Sequence, residues 1–277
     1  MANINPFEHV SDSDHIMLFE TLGVSFDLPF LTKFMWLELL AAGVILAIFI
    51  PVARRVGNGD APKGRFTNAC EFLLTFVRDQ IARPSIGEHD YVRFLPLLWT
   101  LFLFILVNNL LGVLPFLGSP TAELYFSGAM ALIAFVVIHA QGIIANGTRG
   151  YIKSFIPHIE ANDTLTKILA PIITVVIFLI EILSALIRGV VLAVRLAANM
   201  LAGHSVLFVL LLFIRLIGVA ANDGSDAAHL LFWPVAGASI VVVTLLSVLE
   251  LFVACLQAFV FTFLTATFIG LAMHPEH

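Results

Sequence analysis

Five stretches of this chain are apolar for long enough to cross a bilayer, and the segments between them are polar or short. The first is Met35–Ala53. As a helix rising 1.5 Å per residue, it is about long enough to span ~30 Å of hydrocarbon. The second is Phe94–Phe116, with polar Asn108 and Asn109 near its far end, and the third is Leu124–Ala145. Two longer runs follow, Ile168–Gly218 and Phe232–Met273. As helices they would measure roughly 76 and 63 Å, far more than the membrane is thick. Each run is either a hairpin or a single helix, tilted or bent in the membrane. Neither holds a polar turn cluster, which favours the single helix.

Residues 66–83 have a different pattern. Phe66, Ala69, Cys70, Leu73, Phe76 and Val77 recur at helical spacing, while Thr67, Asn68, Glu71, Thr75, Arg78 and Asp79 fall on the other face. The spacing predicts an amphipathic helix lying at the membrane surface. No repeat or low-complexity linker divides the chain. The expected fold is an all-α polytopic membrane protein of about five crossings, the last two long and tilted. Residues 1–34 form an outer N-terminal segment, and 35–277 a single transmembrane domain with an interfacial helix at 66–83.

Composition agrees. The 277 residues are 60 % apolar and only 12 % charged, with a mean hydropathy of +1.02. So few charges could not cover the surface of a soluble globule, for which about 25 % is ordinary. A net charge of −5 offers no basic field for nucleic acid. Cys70 and Cys255 are too few for a disulfide framework. The first 34 residues carry one lysine and five acids, the wrong balance for a cleavable signal. No P-loop, nucleophile elbow or metal motif occurs, so neither catalytic chemistry nor a cofactor is expected of this chain.

Basic residues between the runs suggest an orientation. Lys and Arg number one in residues 1–34, seven in 54–93, none in 117–123, three in 146–167 and none in 219–231. This alternation predicts an outer N-terminus and a cytoplasmic C-terminus, with each long run counted once. A hairpin in only one of them would break it, whereas hairpins in both would not.

Charges inside apolar runs are costly and mark function by default. The fourth run carries Glu181, Arg188, Arg195 and His204, with Asn199 among them, and the fifth carries Glu250 and Gln257. At 100° per residue, Arg188, Arg195 and Asn199 share a face, with Glu181 near it. His204 lies about 180° from Arg195 and roughly 13.5 Å along the axis. Glu250 and Gln257 share a face of the fifth run. If the two long helices are antiparallel, the His204 and Glu250 regions approach each other. Imidazole and carboxylate are natural stations for a proton relay.

Plainer roles fit some of these residues. Arg188 fits an anchor for Glu181, and His204 alone fits a packing histidine. Asn108, Asn109 and Gln257 fit interhelical hydrogen bonding, and Glu38 an interfacial position. Arg195 fits a packing role least, because it stays charged and its own helix offers no acid within one turn. A secondary transporter or ion channel with a charged intramembrane site is the alternative, but it predicts paired Gly/Pro breaks in two halves, which are not seen. A haem held by His139, His204 and His229 is a third reading. Neither His139, near the inner end of the third run, nor His229, in an outer connection, suits it.

The stretch VLAVRLAANMLAGH (191–204) resembles the signature of subunit a of F-type ATP synthases. LELFVACLQAFVFTFLTATF (249–268) is similar to that family's last helix, FLPLLWTLFLFILVNNLLGVLP (94–115) to its second crossing, and SPTAEL (119–124) to the turn after it. The likeness covers most of the chain from about residue 90 onward. Before that it rests on helix layout and the short NPFEH (5–9).

This resemblance implies a non-catalytic, stationary proton-channel subunit beside a rotating c-ring, held by b-type stalk subunits. It assigns the essential arginine to Arg195. Its paired titratable sites fall on His204 and Glu250, in the reverse order to many bacterial members and similar to mitochondrial ones. The family's glutamine falls on Gln257, its asparagines on Asn109 and Asn199, and its turn acid on Glu123.

An outer half-channel would pass Glu123, Asn109, His204, Glu250 and Gln257. An inner one would pass Glu181 and Ser184, with Arg188 a secondary charge. Gly189 stands where a proline is common, and Ala198 where bacterial members often have glycine. The family's last two helices lie steeply tilted along the ring, which agrees with the length argument. The basic residues and loop lengths suggest a bacterial plasma membrane.

Overall fold

The computed structural model describes residues 33–57, 64–113, 120–154, 164–222 and 226–273; within the helices, some side chains lie outside that description. All regular structure among the described residues is helical. Helix α1 is Lys33–Gly57, α2 Arg65–Phe76 and α3 Arg83–Ile86, with a π turn Val77–Ala82 joining the last two. Helix α4 is Tyr91–Gly112. A 3₁₀ turn, Pro120–Ala122, precedes α5, Leu124–Ser154. Helices α6, Thr164–Asn222, and α7, Asp226–Met273, have 59 and 48 residues.

Five helices are long and apolar enough to cross a membrane: Phe34–Arg54, Tyr91–Gly112, Leu124–Tyr151, Gly189–Val219 and Phe232–Met273. Four of them follow the apolar runs closely, and the fourth falls in the second half of the run Ile168–Gly218. Neither long run holds a hairpin, because α6 and α7 each continue as one helix. Residues 1–32 of the outer segment, NPFEH included, lie outside the described residues, as do the last residues of the second run, 114–116.

The contacts divide the chain into two compact units. The first comprises residues 1–61, 103–126 and 196–259, the second 62–102, 127–195 and 260–277. In the first unit, α1 packs against the 3₁₀ turn, whose Pro120 and Thr121 are buried. Phe104 of α4 and Phe126 at the start of α5 bring their rings within 5.8 Å. Near the far end of α6, Gly218 packs beside the Phe232 ring of α7.

In the second unit, the segment 65–86 is helical, but its faces differ from the expectation. Phe66 is 62 % exposed while Thr67 is 6 % exposed, the reverse of the assignment made from spacing. The buried line runs through Thr67, Cys70, Val77, Ile81, Ala82 and Ile86. From Val77 onward its phase moves because the π turn inserts a residue into the α-helical ladder, whereas the exchange of Phe66 and Thr67 lies before that turn. Phe66 and Phe72, apolar but turned outward, suit a surface that meets lipid better than water.

The Trp99 indole donates to the Leu74 carbonyl at 3.0 Å, tying α4 to this segment. Farther along, Gly270 of α7 sits so close to the Ser85 carbonyl that a Cβ would collide with it. Beside this contact, Ser85, Ile86 and Gly87 face Phe263, Thr267 and Leu271 across a cavity of about 400 Å³.

The third run is longer than its apolar pattern suggested. Helix α5 continues to Ser154 through a break at Gly147, whose φ of 71° favours glycine. Beyond the break the Tyr151 ring covers Gly142, where a Cβ would have no room. Just before it, the Asn146 amide donates to the carbonyls of Ala272 (2.9 Å) and Met273 (3.4 Å), which at the C-terminal end of α7 have no partner within the helix.

Candidate functional site

One buried polar group lies between α4 and α7 in the first unit. Helix α4 is apolar over Leu101–Leu106 and then presents two asparagines, both completely buried. The Asn109 Nδ2 donates to the Ala254 carbonyl at 3.2 Å. Ala254 stands between Glu250 and Gln257 on the buried stripe of α7, which includes Ala258 and Phe261. Gln257 is 2 % exposed and Glu250 half-buried. Helical spacing alone aligns Glu250, Ala254 and Gln257.

The same unit brings Glu250 to α6. A Cβ on Gly203 would collide with the Glu250 carboxyl, so this side chain lies directly against the backbone one residue before His204. The expected approach of the two regions is therefore present, with Gly203 as the point of contact. The His204 side chain itself lies outside the described residues. Glu123 follows the 3₁₀ turn half-buried, its N–H donating to Pro120 O at 3.1 Å.

Four buried polar atoms have no partner among the described residues: Asn108 Oδ1, Asn109 Oδ1, Glu250 Oε2 and Gln257 Nε2. Unpaired buried polar groups are rare, and each of these calls for an ordered water or a further polar group.

Helix α6 shows a second feature. Its buried line is Ala193, Leu196, Ala197, Met200 and Leu207. Arg195 lies off that line and is exposed, as is Ala198, while Asn199 is half-buried. Around Arg195 the outward face is apolar, with Val191 45 % and Val194 47 % exposed. A permanent cation thus stands on a surface that otherwise suits lipid or another apolar chain.

Of the residues expected on the inner route, Ser184 is half-buried, whereas the side chains of Glu181 and Arg188 lie outside the described residues. Ser184 and Arg195 belong to the second unit and the Glu250 group to the first. Gly189 meets the Phe135 ring of α5 at ordinary contact distance. His139 stacks on Phe135 with ring centroids 3.9 Å apart and its Nδ1 bonded to Phe135 O at 2.8 Å.

Two residues escape the sequence reading. Arg215 is a further charge inside the fourth run, exposed near its far end. It lies within about 20° of the His204 face, and its charge in an apolar run was the available signal. Asn108 reads from sequence only as a hydrogen-bonding residue; its complete burial was not legible there.

Comparison with known proteins follows the same residues. Residues 35–270 match the model of the family described as ATP synthase A chain. The chain is 36 % identical over 246 residues to ATP synthase subunit a of Myxococcus xanthus, spanning 89 % of this chain and 73 % of that protein. It is 32 % identical over 287 residues to the subunit a of Chloroherpeton thalassium, spanning 99 % and 78 %. With that of Xanthobacter autotrophicus it shares 31 % identity over 274 residues, covering 99 % of each.

Proposed function

The chain belongs to the ATP synthase A chain family, and from that premise we propose that it is the stationary proton-translocating subunit of a bacterial F-type ATP synthase. Its direct partners are the c-ring, b-type stalk subunits and the lipid bilayer. The N-terminus faces outward and the C-terminus the cytoplasm, as the alternating basic loops suggest. Residues 66–83 lie along the inner surface.

Two half-channels reach the ring from opposite sides. The outer one uses Glu123, Asn109, His204, Glu250 and Gln257, and the inner one Glu181 and Ser184, with Arg188 a secondary charge. A proton arriving from outside neutralises a ring carboxylate, which then turns into lipid. Near the end of its circuit the carboxylate releases the proton to the inner route.

Arg195 separates the routes. Its guanidinium stabilises the ionised ring carboxylate, lowering that group's pKa as a nearby cation must. Being fixed and positive, it also opposes a proton passing directly from one route to the other. Asn199, one turn further on the same face, helps orient it. Each proton is driven by about 2.3 kcal/mol per 100 mV plus the pH term.

The observation that carries the reading is the exposed Arg195 on an apolar face of α6. An uncompensated arginine in lipid costs from ~3 kcal/mol on insertion scales to over ~10 in simulations, so the face calls for a carboxylate from another chain. The experiment compares wild type with Arg195→Ala in inverted vesicles. It follows ATP-driven acidification, then passive leak after the catalytic head is stripped. Lost pumping with passive conduction kept or raised is expected. Normal pumping in the variant would return the secondary-transporter reading to first place.

A further inference from the structure

We infer that Asn108 is a water-positioning residue on the outer proton route, between the Glu123 turn and the Asn109–Glu250–Gln257 group. The inference rests on the function proposed above and adds a residue to its outer route. Asn108 is 0 % exposed. Its Nδ2 donates to Phe104 O on its own helix at 2.8 Å. The amide is thereby pinned, and its Oδ1 is left buried without a donor among the described residues. Protein interiors almost always supply a donor to such an oxygen, from the chain or from ordered water.

The neighbourhood favours water. The other unpartnered atoms are Asn109 Oδ1, Glu250 Oε2 and Gln257 Nε2, all in the same compact unit. They comprise acceptors and one amide donor. Water both donates and accepts, so it can serve every member of this mixed set, which a bare cation cannot.

Register gives the place. The Phe104 and Phe126 rings meet where the chain reverses between α4 and α5. Asn108, one turn beyond Phe104, is therefore level with the turn Pro120–Ala122, about one turn before Phe126. Glu123 follows that turn, while the next residue on α4, Asn109, reaches Ala254 of α7. Asn108 thus stands at the step from the turn to the α7 carboxylate. The titratable groups on the elements that meet at this step are Glu123 after the turn, Glu38 on α1, which packs on that turn, and Glu250 on α7.

A water donating one O–H to Asn108 Oδ1 keeps its lone pairs and second O–H for its neighbours. An excess proton then enters that water from one side and leaves to the next acceptor. Asn108 itself neither gains nor loses a proton.

The test uses whole ATP synthase in inverted membranes and measures passive proton conduction after head removal. Retention of the c-ring with the subunit reports assembly. Asn108→Leu is expected to lower conduction about tenfold with assembly intact. Asn108→Asp is expected to conduct, but with a new titration limb that responds to pH on the outer face only. A purely structural asparagine would not produce that limb.

Wild-type conduction in an assembled Asn108→Leu, or an Asn108→Asp profile that keeps the wild-type shape, overturns the inference. If Asn108→Leu does not assemble, the Asn108→Asp profile decides. Failure of the underlying function reads differently, as normal pumping by Arg195→Ala whatever Asn108 does.

Discussion

Gly203 lies against the Glu250 carboxyl so closely that even a methyl group at position 203 would overlap it. The obstructing atom is the end of a flexible side chain, so Gly203→Ala is expected to fold and to push the carboxylate aside. Displacing a reacting group by about 1 Å costs up to ~100-fold in rate. ATP-driven pumping should therefore fall ~10- to 100-fold, while thermal unfolding of the solubilised complex changes by less than about 0.5 kcal/mol. A large loss of stability with pumping per assembled complex intact would show that this contact serves packing alone.

Arg195→Lys separates charge from shape. Lysine keeps the cation but presents a point charge in place of a planar fork, and it can be deprotonated when buried. Coupled pumping should fall strongly in both Arg195→Lys and Arg195→Ala, with increased passive leak confined to the alanine variant. Equal leak in the two would contradict a barrier role for the charge.

Gly270 offers the opposite case to Gly203. A side chain there meets the backbone carbonyl of Ser85, which cannot swing away. Gly270→Ala is expected to destabilise the subunit by about 1–3 kcal/mol through overpacking. Denaturant or thermal melting of the solubilised complex measures this, and an unchanged midpoint would show that the two segments separate freely.

The exposed pair Arg78–Asp79, at 2.8 Å, predicts an absence of effect. The hydrogen bond from Arg78 holds the Asp79 carboxyl below its ordinary pKa. Its contribution is present above the ordinary aspartate value and is lost as pH falls through the depressed one. Both side chains are 43 % exposed, so water and salt screen the pair. Asp79→Asn should leave the melting temperature at pH 7 unchanged within error and slightly flatten the acid limb of stability. A clear drop at pH 7 would reveal a stronger role.

The crossings were legible because lipid imposes a minimum apolar length that soluble folding does not. The alignment of Glu250 with Gln257 followed from helical spacing, whereas the approach of the Glu250 and His204 regions needed the further condition that the two long helices run antiparallel. The faces of residues 65–86 were not legible. Spacing arguments assume a constant 100° per residue, which the π turn at Val77–Ala82 breaks. They also assume that apolar groups turn inward, which Phe66 contradicts at 62 % exposure. The contact between Gly203 and Glu250 depends on how two distant segments pack, which no periodicity encodes. Asn108 and Asn109 look alike in sequence; only packing shows that one reaches across to α7 while the other bonds to its own helix.

The unbroken length of α6 has a consequence for how the chain is made. Insertion machinery samples apolar segments of roughly 19 residues at a time. A 59-residue helix offers enough length for two such segments and hence for an unwanted extra passage. Glu181 and Arg188 fall within its first half, where each charge adds about 2.5–3.5 kcal/mol to the transfer of a segment centred on it. Residues 168–188, which hold both charges, are otherwise almost wholly apolar. These two charges thus penalise passage of that stretch as a separate crossing during synthesis.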